Sequence, residues 1–181
     1  MPATVFDPPE RFVAGTVGPP GGRTFFLQAS GDGRLVSVSL EKVQVSVLSD
    51  RINDMLDSLA GAAGSDDAAA AAVDNDPLDA PIEDEFRVNT LSLGWDPTRR
   101  VLVIECHDRD PDETLAPEDL EEAGLPPDTR TIRVVLRPDH ARAFARRCAA
   151  LVAAGRPPCP FCGGPLDPGG HICPRSNGYR R

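Results

Sequence analysis

Residues 35–56, LVSVSLEKVQVSVLSDRINDML, change their hydrophobic period halfway along. The first six residues alternate apolar and polar side chains, as a strand with one buried face does. From about Glu41 to Leu59 the apolar side chains recur every three or four residues, which is the period of a helix. The apolar stripe of this helix consists of Leu48, Ile52, Met55, Leu56 and Leu59. The stretch therefore predicts a strand that leads directly into an amphipathic helix.

The same pattern returns 96 positions later, in TIRVVLRPDHARAFARRCAALV, residues 131–152. This shift preserves strand parity and helix phase, aligning Leu40 with Leu136 and Ile52 with Cys148. Pro138 and Gly155 mark the expected start and end of the second helix. Its stripe consists of Ala141, Phe144, Ala145, Cys148, Leu151 and Val152. Either a structural duplication or a chance similarity of two strand–helix units accounts for the match.

Two further strand patterns precede each of these units. They are VAGTV (13–17) and TFFLQAS (24–30) in the first half, and FRVNTLSLGW (86–95) and VLVIEC (101–106) in the second. Each half then has the order strand, strand, strand, helix. We predict an α+β fold, in which an antiparallel sheet of about six strands carries two helices on one face.

Composition divides the chain into an α+β domain, residues 1–155, and a small C-terminal unit, residues 156–181. Residues 60–85 are rich in Ala and Asp without periodicity, which predicts a flexible acidic loop. Residues 109–130 form a second acidic loop that is rich in proline, within which APEDLEEAG could form a short helix.

Hydrophobicity and net charge narrow the class of protein. No run approaches the roughly 20 apolar residues of a membrane span, and the N-terminus lacks the pattern of a signal peptide, so we expect a cytoplasmic protein. Residues 1–129 carry a net charge of −17, and residues 130–181 one of +8. The basic end is either a solvated face that balances the acidic body or a surface that binds anions or phosphate.

The C-terminal stretch CPFCGGPLDPGGHICPRSNGYRR, residues 159–181, contains three of the five cysteines. Cys159 and Cys162 have the spacing of a zinc knuckle, in which two thiolates hold one metal ion from a tight turn. His171 and Cys173, at positions i and i+2, would project to the same side of an extended segment. Four such ligands fill a tetrahedron, which predicts one structural Zn²⁺ ion.

Other interpretations of the cysteines remain. Cys159 and Cys162 could form a redox pair, although a redox CxxC normally opens a helix, and His171 could be an ordinary surface residue. Cys148 lies on the apolar stripe of the second helix and is expected in the core. Cys106 adjoins His107, but adjacent strand residues point in opposite directions, which disfavours a catalytic pair. The sequence contains no nucleotide-binding loop, nucleophile elbow or dinucleotide fingerprint.

Three long stretches resemble an actinobacterial family classed as a domain of unknown function. They are VFDPPERFVAGTVG with RTFFLQA, LEKVQVSVL, and the C-terminal CPFCGGPLDPGGHICPRSNGYRR. The resemblance implies a setting rather than an activity, because it carries over no catalytic residues. It implies association with a phosphomutase-like histidine phosphatase and with a protein that resembles phosphatidylinositol kinases.

Three functions are compatible with these patterns. The first is a zinc-binding, non-catalytic adaptor with a protein partner. The second is a nucleic-acid-binding module that uses the arginine-rich end. The third is an enzyme on a phosphorylated small molecule, with Arg23 and the C-terminal arginines on the phosphate, although no convincing base or nucleophile is present. The residues expected to form an interaction surface are Arg142, Arg146, Arg175, Asn177, Tyr179, Arg180 and Arg181.

Overall fold

The computed structural model describes residues 3–110, 128–155, 158–164, 166, 171–173 and 175. Within these residues the chain forms eight strands and three α-helices, and two 3-10 turns, Gly61–Gly64 and Ala70–Ala72, flank the second helix. The strands are β1 (Thr4–Phe6), β2 (Arg11–Val17), β3 (Thr24–Gly31), β4 (Arg34–Leu40), β5 (Asp84–Arg87), β6 (Thr90–Asp96), β7 (Val101–His107) and β8 (Thr131–Leu136). The helices are α1 (Lys42–Leu59), α2 (Asp66–Ala69) and α3 (Pro138–Ala153).

The eight strands form two four-stranded sheets. One sheet has the order β2-β3-β4-β5 and the other the order β6-β7-β8-β1. In each sheet three consecutive strands pair antiparallel, and the fourth strand is added in parallel. The added strand comes from the other half of the chain, because β5 precedes β6 but pairs with β4, whereas β1 precedes β2 but pairs with β8. The two halves therefore exchange their first strands.

This arrangement confirms the α+β class and corrects the prediction of one antiparallel sheet of about six strands. The sequence shows the three long strands of each half, but β1 has three residues and β5 has four. Segments this short contain too few residues to display a period. Their pairing partners are also far away in the sequence, so no local pattern indicates a second sheet or a parallel edge.

The two long helices also cross between the halves. Helix α1 follows β4 but contacts β6, and α3 follows β8 but contacts β2. The helices contact each other, and Ser49 Oγ donates a hydrogen bond of 2.9 Å to the carbonyl oxygen of Ala145. These two positions differ by 96, the shift that aligns the halves in the sequence. The crossing point thus joins one position to its own counterpart, and the two halves make reciprocal contacts through equivalent elements.

One hydrophobic core joins both sheets and both long helices. Its largest fully buried side chains include Leu27, Ile52, Leu56, Leu102, Ile104 and Ile132. The predicted stripe of α1 is confirmed for Leu48, Ile52 and Leu56, but Leu59 is 46% exposed. Val45 and Ser49 are buried as well. Each large side chain that the core encloses completely contributes roughly 1.5–3 kcal/mol, so the repeats hold each other together mainly through this core.

Residues 60–85, for which composition predicts an unstructured acidic loop, contain regular structure. The two 3-10 turns and α2 occupy residues 61–72, and Ser65 caps α2 by accepting a hydrogen bond of 3.2 Å from the N–H of Ala68. Ala69 is fully buried, and α2 contacts α3. Composition conceals this structure because alanine side chains are small enough for close packing yet give no strong apolar period. The expected mobility of the segment stays a prediction.

Two arginines hold residues 74–79 against the domain. Arg11 of β2 donates from Nε to Asp74 Oδ2 at 2.7 Å and from NH2 to the Asp76 carbonyl oxygen at 3.0 Å. Arg147 of α3 donates from NH1 to the carbonyl oxygen of Asp74 at 2.5 Å and from NH2 to that of Asp76 at 2.6 Å. The acidic segment is therefore fixed by contacts whose partners lie more than 60 residues away.

The same segment continues over the outer face of the β2-β3-β4-β5 sheet. Gln28 Oε1 accepts a hydrogen bond of 2.7 Å from the N–H of Asp79. Leu78 lies directly over Gly15, where an added Cβ would come within 2.5 Å of Leu78 Cγ. The glycine in β2 is therefore needed to leave room for this leucine.

Most of the second acidic loop, residues 109–130, lies outside the described residues, and so does the short helix expected within it. At the base of that loop, Arg130 Nε pairs with Asp108 Oδ2 at 2.7 Å. Among the helices of the described residues, none has the length and apolar character that a membrane crossing requires.

Candidate metal centre

A tight turn brings Cys159 and Cys162 together. The N–H of Gly163 donates to the carbonyl oxygen of Cys159 at 2.8 Å, and the N–H of Cys159 donates to that of Gly164 at 2.7 Å. Gly163 has a φ of +75°, a left-handed conformation that strongly favours glycine. The sequence CPFCGG thus folds as the predicted knuckle turn rather than as the start of a helix.

The second pair of ligands approaches this turn as expected. His171 Nε2 lies 3.2 Å from Cys162 Sγ, and Cys173 Sγ lies 3.8 Å from Cys159 Sγ. Ile172, between the two ligands, is 85% exposed. The i and i+2 side chains therefore face the knuckle while the intervening side chain faces solvent, although residues 171–173 form no regular strand.

Four donor atoms meet at one place. The sulfur atoms of Cys159, Cys162 and Cys173 and a ring nitrogen of His171 all lie within 4.8 Å of one another. The cysteines are free thiols, so this proximity is not caused by a disulfide. The cluster could bind a metal ion, and its residues are those that the sequence predicts.

The thiols of the cluster influence one another's ionisation. Desolvation disfavours the thiolate of Cys159, but the backbone N–H groups of Cys162 and Phe161 outweigh it and hold the pKa of Cys159 below its ordinary value. The N–H of Gly164 favours the thiolate of Cys162, but desolvation and the neighbouring Cys173 and Cys159 raise the pKa of that thiol. The turn thus favours the thiolate of Cys159 but not that of Cys162, and a bound cation would favour both.

His171 presents only one of its two ring nitrogens to the cluster. Its Nδ1 atom is buried and has no hydrogen-bond partner among the described residues, while Nε2 faces Cys162. An imidazole held by its Nε2 on a metal commonly donates a hydrogen bond from Nδ1 to a neighbouring group. The three sulfurs and one nitrogen form a donor set typical of closed sites, in which protein ligands occupy every position.

Cys106 and Cys148 lie apart from the cluster, in the core. Burial raises the pKa of each of these thiols to about 12, so both are protonated near neutral pH. Next to Cys106, the buried His107 places Nδ1 2.9 Å from Thr131 Oγ1, and burial lowers the pKa of this imidazole. The thiol and the imidazole thus have separate environments, and the expectation that they form no catalytic pair stays a prediction.

Arg142 and Arg146, two arginines expected on the interaction surface, are engaged within the chain. Arg142 Nε donates to the carbonyl oxygen of Gly64 at 2.7 Å, and its NH1 donates to Asn53 Oδ1 at 2.7 Å. Arg146 NH2 pairs with Asp66 Oδ1 at 2.7 Å. Arg142 links α3 to α1 through its hydrogen bond to Asn53, and its side chain is only 11% exposed. A role in binding an external partner stays a prediction for both.

The remaining members of the expected surface belong to the C-terminal unit. Arg175 donates from NH1 to the carbonyl oxygen of Phe161 at 3.3 Å, which ties it to the knuckle turn. The other expected surface residues, Asn177, Tyr179, Arg180 and Arg181, lie outside the described residues.

One surface was missed by the sequence analysis. Val43 and Val47 of α1 are 65% and 51% exposed, and they line a groove of about 750 Å³ with Leu91 and Leu93 of β6. The available signal was a pair of valines, Val43 and Val47, that lie one helical turn apart and outside the predicted stripe. On a helix with one buried stripe the opposite face is usually polar, so apolar side chains there are unusual.

The comparisons with known proteins give a family without an activity. Residues 4–173 match the family described as "Protein of unknown function (DUF3090)", a range that includes both repeats and all four residues of the Cys/His cluster. No curated protein and no solved structure matches the chain. The chain therefore belongs to the DUF3090 family of proteins of unknown function.

Proposed function

We propose that the protein binds one structural zinc ion through Cys159, Cys162, His171 and Cys173. The observation that carries this proposal is the convergence of four donor atoms within 4.8 Å. Three thiolates and one imidazole suit zinc, which prefers sulfur and nitrogen ligands in a tetrahedron. Hard cations such as Mg²⁺ and Ca²⁺ would require oxygen ligands instead.

Two of the distances between donor atoms are close to those of a tetrahedral zinc site. With Zn–S bonds of about 2.3 Å, two sulfurs of a tetrahedron lie about 3.8 Å apart. The distance between Cys159 Sγ and Cys173 Sγ is 3.8 Å. With a Zn–N bond of about 2.0 Å, sulfur and nitrogen lie about 3.5 Å apart, and the distance from Cys162 Sγ to His171 Nε2 is 3.2 Å.

A site with four protein ligands leaves no position for substrate or water, so the zinc ion would organise structure rather than catalyse a reaction. What it would organise is a small unit with exposed apolar side chains, Phe161 at 63% and Ile172 at 85%. A metal ion that holds this turn in place would present both side chains for contact with another protein. We therefore propose a non-catalytic binding or adaptor role, with histidine-phosphatase-like and kinase-like proteins as the first partners to test.

Metal analysis of the purified full-length protein tests the metal proposal. We expect about one zinc per chain. Cys162→Ser should lose the zinc, because three ligands bind far more weakly than four. Cys148→Ala removes one cysteine from the core instead and should retain the metal.

Zinc retained at one equivalent by Cys162→Ser would overturn the assignment of the ligands. The adaptor role is tested separately, by measuring binding of a purified candidate partner to the wild-type protein and to Phe161→Ser. A partner that binds both proteins equally would show that the knuckle surface is not the interface, even if zinc is present.

A further inference from the structure

The equivalence of the halves makes the exposed groove on α1 informative. The groove lies between α1 and the edge strand β6, and its α1 lining includes Val43, Gln44, Val47, Leu48, Arg51 and Asp54. Adding 96 to four of these α1 positions gives positions that line a second cavity, of about 400 Å³, between α3 and the edge strand β2. The pairs are Gln44 with His140, Val47 with Ala143, Leu48 with Phe144 and Arg51 with Arg147.

The edge strands correspond in the same way. A shift of 79 aligns β2 with β6, so Phe12 is the counterpart of Leu91. Phe12 stacks on Phe144 with ring centroids 4.4 Å apart. The counterparts of this pair are Leu91 of β6 and Leu48 of α1. The α1/β6 groove and the α3/β2 groove are therefore two copies of one surface.

The copies differ in what covers them. The α3/β2 groove is partly covered by the chain's own acidic segment, since Ala71, Val73 and Asp74 line it together with α3. Arg147 binds this segment through two carbonyl oxygens, and its Nε donates to the carbonyl oxygen of Ala14 at 2.6 Å. Among the described residues, no segment occupies the α1/β6 groove.

The same contrast continues around the sheet edge. Leu78 of the acidic segment fills the hollow above Gly15 on β2. The counterpart of Gly15 is Gly94 on β6, where the nearest atom to an added Cβ is Val103 Cβ, at 3.9 Å on the adjacent strand. Gly94 lies in a cavity of about 370 Å³ on the outer face of its sheet. A glycine that makes room for a leucine in one half thus leaves an open hollow in the other.

Charge indicates what the open groove would accept. The guanidinium group of Arg147 has carboxylate and carbonyl partners from the acidic segment, and its side chain is 14% exposed. The counterpart, Arg51, is exposed and has no ion-pair or hydrogen-bond partner within the described part of the chain. An arginine beside an apolar groove, with no acidic partner of its own, is suited to an acidic ligand with apolar side chains.

We propose that the α1/β6 groove binds an extended, acidic segment of a protein partner, in the way that the α3/β2 groove binds residues 71–79 of this chain. An acidic side chain or a backbone carbonyl group contacts Arg51. Apolar side chains occupy the strip along Val43 and Val47, and a leucine-sized side chain fits above Gly94. The proposal does not depend on the metal centre, which lies in a different part of the chain.

Two differences between the grooves shape the expected ligand. Strand β6 has Thr90 where β2 has Arg11. One arginine rather than two therefore holds the segment of the partner, and its binding is reversible. Asp54 also lines the open groove, whereas its counterpart on α3 is Ala150. Acidic groups of the ligand therefore fit at the level of Arg51 and are repelled one turn further along α1.

The test uses the full-length protein and a fluorescently labelled peptide that copies residues 71–81, AAVDNDPLDAP. We expect saturable binding in fluorescence anisotropy, and Arg51→Glu should weaken it at least about tenfold, since hydrogen bonds to charged groups contribute about 1.5–3 kcal/mol. Arg23→Glu makes the same charge change outside the groove and should leave the affinity within about twofold. A peptide with all three Asp changed to Asn should bind as weakly as the Arg51→Glu protein binds the original.

Four results would overturn the proposal. The first is no saturable binding. The second is an equal loss for Arg51→Glu and Arg23→Glu, which would indicate only a general attraction of charge. The third is self-association of the protein, in sedimentation, that Arg51→Glu abolishes, because the groove would then bind a second copy. The fourth is binding that occurs only when residues 111–127 are replaced by a short Gly-Ser linker, which would assign the groove to the chain's own second acidic loop.

Discussion

The two halves of the molecule share one architecture but have different edges. In both halves three antiparallel strands receive a parallel strand from the other half, and the long helix packs against the other half's edge strand. Around β2, residues 71–79 cover the edge, and Val13 and Gly15 are buried. Around β6, the equivalent Ser92 and Gly94 are exposed. The comparison shows that the repeat determines the framework, while a non-repeated segment determines which edge is closed.

The difference has a simple electrostatic basis. Arg11 and Arg147 share Asp74, and they also donate hydrogen bonds to backbone carbonyl oxygens of a segment that has little apolar surface. Ordering each residue of such a segment costs roughly 1–2 kcal/mol of backbone entropy, which alanine and aspartate side chains cannot offset by burial alone. Charge-assisted hydrogen bonds from two largely buried arginines supply the stabilisation that the burial of these side chains does not provide.

The largest predicted effect is the difference in stability between two single variants, Arg147→Ala in one half and Arg51→Ala in the other. Arg147→Ala should lower the free energy of unfolding by about 2–4 kcal/mol, because several partly buried hydrogen bonds lose their donor. Arg51→Ala should change it by less than about 0.5 kcal/mol, because Arg51 is exposed. Urea denaturation of both variants measures the difference. Equal effects would mean that the acidic segment is not held by Arg147.

A smaller effect is expected from the paired glycines. Gly15→Ala places a methyl group where Leu78 already lies, so it should destabilise the protein by about 1–3 kcal/mol. Gly94→Ala meets no atom closer than 3.9 Å and should be nearly neutral. Thermal unfolding of the two variants provides the measurement. If Gly15→Ala were as stable as Gly94→Ala, then Leu78 would not occupy the hollow above β2.

The smallest effect concerns pH. The hydrogen bond from Arg11 outweighs desolvation and holds the pKa of Asp74 below its ordinary value. The stabilisation from this ionised carboxylate is fully present above the unfolded-state pKa of about 3.9 and is lost as pH falls through the lower folded-state pKa. The stability difference between the wild-type protein and Asp74→Asn should therefore be greatest at neutral pH and shrink in acid. Urea titrations at several pH values test this, and a difference that grows in acid would contradict it.

The candidate metal centre was predictable because all four ligands lie within fifteen residues. The CxxC spacing, the glycines and the i, i+2 relation of His171 and Cys173 act over a local turn. The long strands and helices were predictable for a similar reason, since their periods are visible in short windows. The correspondence of the two halves was visible as well, because Ser49 and Ala145, which meet at the helix crossing, are separated by the shift that aligns the sequences.

The exchange of strands, the ordering of residues 61–79 and the open groove were not predictable. Strands β1 and β5 are too short to show a period, and each pairs with a strand from the other half. Arg11 and Arg147 give no local sign that they share Asp74, because they lie more than 60 residues from it on either side. The sequence pattern places Val43 and Val47 in a helix, but only the packing of that helix shows that both side chains face solvent.

The sequence by itself determined the long strands, the two long helices, and the four residues that meet at the C-terminal turn. Each of these depends on residues close in the chain, where spacing alone fixes which side chains share a face. The tertiary structure alone decided that there are two sheets, that the halves interlock, and that residues 71–79 partly cover one of two equivalent grooves. Those outcomes depend on pairings between distant residues, and the free energy of such pairings comes from burial and from charge contacts that no local pattern records.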